Sequence, residues 1–135
     1  MTEPRYKLLI VDDSPSMHAM LKEALAPSPF DIVGDAFNGA QGVDLYESQR
    51  PDIVLMDIVM PQMTGIEALT QIMDKHPEAR IVMLTSMRGK EDVLTCKKHG
   101  AKNYVLKPFQ GDKLIETLLR VCAAPAVGPA PSAPA

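Results

Sequence analysis

No apolar run in these 135 residues approaches the roughly 18 that a membrane-crossing helix needs. The charged start, Met1 to Lys7, lacks the apolar segment of a secretory signal. Both absences predict a cytoplasmic protein. Cations are not in excess: 14 Lys and Arg against 17 Asp and Glu leave a formal charge of -3, which disfavours nonspecific nucleic-acid binding, a property of basic domains. Cysteine is scarce. Cys96 and Cys122 lie far apart in predicted helices, the pattern of free thiols in a reducing compartment rather than of a disulfide framework. The histidines His18, His76 and His99 show no ligand spacing, so all three read as surface residues and no transition-metal site is expected. What is present suits a folded body: 46% hydrophobic and 23% charged residues, in a length that makes one domain and buries roughly two thirds of its unfolded surface. Residues 1–122 are read as that domain. Residues 123–135, uncharged and rich in Pro and Ala, are read as a disordered tail or linker stub.

Strand and helix signals alternate along the chain. Tyr6 to Val11 is the first strand. Ser14 and Pro15 are N-cap and first residue of a helix to about Leu25, and its apolar positions Met17, Met20, Leu21, Ala24 and Leu25 follow the 3, 4 spacing of one buried stripe. Asp31 to Phe37, broken by Gly34 and Asp35, reads as an edge strand, where interruptions cost least. Asn38 caps a helix over Gly39 to Gln49 with an inner face of Ala40, Val43 and Tyr46 and Leu45 at its margin. Ile53 to Met56, set between Pro51 and Pro61, has the unbroken apolar character of a strand buried on both faces. Pro61 and Gly65 bracket a loop, and a helix from Gly65 to Lys75, stopped at His76-Pro77, turns Ile66, Leu69, Ile72 and Met73 inward. Arg80 to Leu84 and Asn103 to Leu106 are the last strands. Between them Gly89 opens a thinly apolar helix, roughly Lys90 to His99, with Val93, Leu94 and Cys96 alone to hold it, and therefore the most movable. A last helix, about Gln110 to Cys122, buries Leu114, Leu118 and either Val121 or Cys122.

Alternation of this kind predicts an α/β fold, a doubly wound five-stranded parallel sheet with five helices on its two faces. Ligands of such sheets bind at the carboxyl ends of the strands. Those ends carry Asp12 and Asp13, Asp57, Thr85 and Lys107, so two strands release acids at one edge. Three clustered carboxylates repel, at about 4 Å by on the order of 1 to 4 kcal/mol per pair, and something positive must compensate. Lys107 supplies one charge. A hard divalent ion that prefers oxygen ligands supplies the rest, which points to Mg²⁺ before Zn²⁺.

The strings LLIVDDS, VLMDIVMP with a Gly four residues after its Pro, IVMLTS and YVLKPF resemble, in order and spacing, the receiver domain of two-component response regulators, over about Lys7 to Val121. The resemblance implies the flavodoxin-like strand order 2-1-3-4-5 and a phosphorylation switch. It makes Asp57 the phospho-acceptor, Asp12 and Asp13 the Mg²⁺-binding acids, and Lys107 the contact to the phosphoryl group. It makes Thr85 and Tyr104 the switch hydroxyl and switch aromatic, and the Val59 carbonyl a further ligand of the ion. The implied partners are a sensor histidine kinase as phosphoryl donor and a downstream protein on the face built from helix four, strand five and helix five, with no direct contact to nucleic acid and no membrane span. Val59 and Met87 flank the expected phosphate and neither orients a water, so a long-lived acyl phosphate is expected. Two other readings stand beside this one: the same domain cut from a longer regulator with a methylesterase or DNA-binding output, and a Mg²⁺-dependent phosphohydrolase with an aspartyl nucleophile. The latter generally places a second acid two residues past the nucleophile, where this chain has Val59, so no enzyme is expected.

Overall fold

The computed structural model describes residues 5–60, 63–86 and 90–123. Five strands and five helices alternate: β1 (Tyr6–Val11), α1 (Pro15–Leu25), β2 (Phe30–Ala36), α2 (Gly39–Gln49), β3 (Ile53–Met56), α3 (Gly65–Lys75), β4 (Ile81–Thr85), α4 (Lys90–Lys98), β5 (Asn103–Leu106) and α5 (Gly111–Ala123). The strands form one sheet in the order β2-β1-β3-β4-β5, all parallel, as the resemblance implies. Against the expected bounds, β2 and β4 shift by one residue, and α5 begins at Gly111. No helix among the described residues is long and apolar enough to cross a membrane.

The period-2 alternation of a strand divides the core in two. Leu9, Val11, Val54, Met56, Ile81 and Met83 face one side, under Tyr46 of α2, Leu69 and Ile72 of α3 and Cys96 of α4. Leu8, Ile10, Ile53, Leu55, Val82 and Leu84 face the other, under Leu21 and Leu25 of α1 and Leu114, Leu118 and Cys122 of α5. Both cysteines are buried free thiols. The expected caps form, Ser14 and Asn38 each accepting a backbone N–H of the first turn, from Met17 and Gln41, and Thr64 caps α3 in the same way by accepting from Glu67.

One irregularity in β2 sets the stage for the site. Leu8 pairs with Ile32, but Leu9 pairs with Gly34, so Val33 is skipped and Ile10 stands beside Asp35. Side-by-side residues of parallel strands share a face. The skipped residue therefore flips Asp35 from the α2 side to the α1 side, the re-aiming a β-bulge produces.

Several side-chain expectations are corrected. His18 and His76 are buried, at 3% and 8% exposure, where surface positions were expected; His99 is exposed. Each buried ring has polar partners inside the fold, His18 in Asp35 and the Asp12 carbonyl and His76 in Glu47, as buried polar groups require. Met20 is half exposed, at the rim of the α1 stripe rather than in it. Ala40 is exposed, and Gly39 and Gly42 line the inner face of α2 in its place, because a Cβ on Gly42 would press into Val11 of β1. Pro61, Met87, Gly89 and the Pro/Ala-rich segment from 124 onward lie outside the described residues.

Candidate functional site

Each acid of the cluster is set by the strand that ends at it. The Asp12 backbone N–H donates to Ala36 O on β2 (3.0 Å) and the Asp57 N–H to Val11 O on β1 (2.9 Å), so both residues prolong the sheet's hydrogen-bond ladder by one rung before the chain turns away. Oxygens of Asp12, Asp13 and Asp57 all lie within 4.8 Å of one another. Asp12 and Asp57 are buried, at 3% and 8% exposure, while Asp13 is open to solvent. Burial distinguishes the pair from ordinary surface acids, whose charges water would screen.

Lys107 enters from the loop after β5. Its Nζ donates to Asp12 Oδ2 at 2.8 Å and to Asp57 Oδ2 at 3.4 Å. Burial pushes the ammonium's pKa down, but the Asp12 hydrogen bond and the charges of Asp57 and Asp12 outweigh it and hold the pKa above its ordinary value. The remaining oxygens are partly satisfied from the backbone: Ser14 N–H donates to Asp12 Oδ1 (2.9 Å) and Ile58 N–H to Asp57 Oδ1 (2.7 Å). One ammonium against three carboxylates leaves a local excess of negative charge. The donors are all oxygen, the hard ligand set that suits Mg²⁺.

Two features hold the rim. Gly65, the first residue of α3, donates its N–H to Ile58 O at 2.7 Å, and a Cβ there would run into the Asp57 carbonyl oxygen. Glycine alone lets the helix N-terminus approach the end of β3 this closely. The peptide joining Lys107 to Pro108 is cis, and the Lys107 N–H donates to Thr85 O at 2.9 Å. Thr85 is wholly buried and stands beside Leu106 in the β4–β5 register.

Of the residues expected from the sequence, Asp12, Asp13, Asp57 and Lys107 converge. Thr85 joins them through the backbone of Lys107. Tyr104 stands beside Met83 in the sheet register, half-buried against the core face covered by α2, α3 and α4. Val59 projects into solvent at 58% exposure. Sequence reasoning missed His18 and Asp35, which stand directly behind Asp12. The signal was available: His18, Leu21 and Leu25 share the 3, 4 spacing of the α1 stripe, so His18 belongs to the buried face.

Comparison with known proteins agrees with this geometry. The family model described as response regulator receiver domain matches residues 8–119. The chemotaxis protein CheY of Listeria monocytogenes is 46% identical over 112 residues, 83% of this chain and 94% of its own length. CheY of Thermotoga maritima is 40% identical over 115 residues, 85% of this chain and 96% of its own. A solved CheX-CheY-BeF3-Mg+2 complex from Borrelia burgdorferi contains a chain that superimposes with a TM-score of 0.86 at 31% identity, covering 90% of this chain and 92% of that one. Three buried or half-buried side chains gathered on a sheet edge, the strand order around them and these matches lead to one assignment: the chain belongs to the response regulator receiver domain family, on the CheY-like side of two-component signalling.

Proposed function

We propose that the protein accepts a phosphoryl group on Asp57 from a sensor histidine kinase and passes the signal to a protein partner through a change of shape. The observation that carries this reading is the placement of Lys107 Nζ within reach of both Asp12 and Asp57. Transfer to a carboxylate brings anion to anion, so the protein's task is positioning and charge neutralisation. An Asp57 carboxylate oxygen attacks the phosphorus of a phosphohistidine in line. The P–O bond forms as the P–N bond breaks, and the bonding pair leaves with the imidazole nitrogen. Lys107 meets a phosphoryl oxygen as a compact cation.

Asp12 and Asp13, with Asp57 and the Val59 carbonyl, would hold Mg²⁺. When bound, the ion supplies the positive charge that balances the entering phosphoryl oxygens. The phosphoryl group brings about two negative charges and recruits the Thr85 hydroxyl, so that the loop after β4 draws inward and Tyr104 follows. The face formed by α4, β5 and α5 changes with it. Leu94 of α4 and Leu106 of β5, exposed by 64% and 37%, give that face the apolar character a docking protein requires. The Val59 side chain cannot hydrogen-bond an attacking water or take up its proton, which favours a long-lived phosphoryl group and argues against turnover as a phosphohydrolase.

Incubation with Mg²⁺ and acetyl phosphate, followed by intact-mass and peptide analysis, tests the reading. One phosphoryl group on the peptide containing Asp57, absent from Asp57→Asn and absent when EDTA replaces Mg²⁺, is the expected result. An unmodified wild-type chain, or a label that survives in Asp57→Asn, overturns it.

A further inference from the structure

All four polar groups of Asp12 are engaged, each by a different part of the chain. Its N–H goes to β2, its Oδ1 accepts from the Ser14 cap and its Oδ2 from Lys107. Its carbonyl oxygen lies 2.7 Å from Nε2 of His18, inside the first turns of α1. A carbonyl only accepts, so Nε2–H is the donor. The other ring nitrogen, Nδ1, lies 2.7 Å from Asp35 Oδ1, and Asp35 Oδ2 accepts from Lys22 at 2.8 Å. Burial pushes the Asp35 carboxyl up, but the hydrogen bonds from Lys22 and His18 prevail and hold it below its ordinary value, so it meets the ring as a carboxylate. The ring is 3% exposed and stacks on Phe37 with centroids 4.3 Å apart.

The bulge in β2 is what makes this possible. Without the skipped Val33, Asp35 would stand beside Val11 on the α2 face, out of reach of α1; with it, Asp35 stands beside Ile10 on the face that α1 covers. A strand that gives up a rung of its ladder to aim one carboxylate at one buried ring is a built arrangement.

We infer that His18 is a positioning residue for the acidic cluster, fixing the orientation of Asp12 and Asp13 from behind. The peptide unit that joins these two residues is a rigid plane, and the bond from His18 holds its oxygen. Once that plane is fixed, so is the direction in which Asp13 departs, and both carboxylates are presented without further search. Ligand-orienting bonds of this kind are worth roughly ten- to hundredfold in metal affinity. The inference rests on the reading of Asp12 and Asp13 as holders of a divalent ion.

Three variants and one probe ion test it. Mn²⁺ binding is measured by electron paramagnetic resonance for the wild type and for Asp12→Asn, His18→Phe and His18→Gln, with the urea midpoint recorded for each. His18→Phe keeps an aromatic ring against Phe37 and removes both ring nitrogens; His18→Gln restores an N–H toward the carbonyl. A merely structural role would lower the urea midpoint and leave the affinity of the folded molecules alone. The expected result is Mn²⁺ affinity weakened roughly tenfold or more in His18→Phe, largely recovered in His18→Gln. Labelling of His18→Phe by acetyl phosphate should be slow at low Mg²⁺ and return to the wild-type rate at saturating Mg²⁺. Affinity in His18→Phe within twofold of wild type, while Asp12→Asn loses binding, overturns the inference and leaves the site intact. A wild type that binds no Mn²⁺ overturns both.

Discussion

Lys107 is held by charge on two sides, and the charges it separates repel each other once it is gone. Lys107→Met should slow labelling of Asp57 by roughly a hundredfold or more, the loss seen when one preorganised donor to a developing anion is removed. The same change should cost about 1 to 3 kcal/mol of stability without metal, as measured by urea unfolding, because buried carboxylates lose a charged hydrogen-bond partner. The pH dependence follows from the direction of its shift. The folded-state pKa lies above the ordinary 10.5, so the lysine's contribution is complete below that value and is lost as pH rises through the folded one. The difference in urea midpoint between wild type and Lys107→Met should therefore hold steady to about pH 10 and shrink above it. Cys122 makes a simpler case. Burial pushes its thiol up to about 11, and thiolate is the reactive form. Iodoacetamide at neutral pH should leave Cys122 unmodified in the native protein and alkylate it readily in urea, by peptide mass analysis; comparable rates in both would contradict the burial.

At the scale of elements, α3 is fastened to the site through its first residue. Gly65→Ala would push a methyl group into the Asp57 carbonyl oxygen, a backbone atom that has no rotamer to yield. The variant should unfold at lower urea by about 1 to 3 kcal/mol and accept phosphoryl groups more slowly; wild-type values for both would show that the helix has room to move. The elements themselves were legible in the sequence. Apolar runs of strand length, Ser14, Asn38 and Gly65 in their places, and alternating periodicity were enough to bound nearly all of them, because local patterning and the final packing agree. Asp12, Asp57 and Lys107 were legible as strand-end residues for the same reason. His18 and Asp35 were not. A histidine on a helix stripe reads as a surface residue until its polar partners are known, and those partners depend on a skipped residue in β2 that no period-2 pattern announces. Met20 and Ala40 failed differently: a stripe of 3, 4 spacing is wider than the surface it covers, and its outer members end at the rim. In α4 the thin apolar face expected from the sequence is borne out by Cys96 as its buried contact among the described side chains, with Leu94 turned outward.

For the whole molecule, the clustered acids are a source of repulsion that a bound cation relieves, and ligand binding to the folded state alone raises its stability by mass action. Adding Mg²⁺ to ten times its dissociation constant should stabilise the wild type by about 1.4 kcal/mol, read as a shift of the urea midpoint that EDTA reverses. Asp13→Asn should show a smaller shift and a higher midpoint without metal. Equal midpoints with and without Mg²⁺ in the wild type would show that the cluster does not take up the ion. The bond from Lys107 to Asp12 joins residues 95 positions apart, one beside the first strand and the other beyond the last. A polypeptide still leaving the ribosome thus possesses its acids long before it possesses their counter-charge. Until β5 docks and brings Lys107 in, the clustered acids stand without that counter-charge.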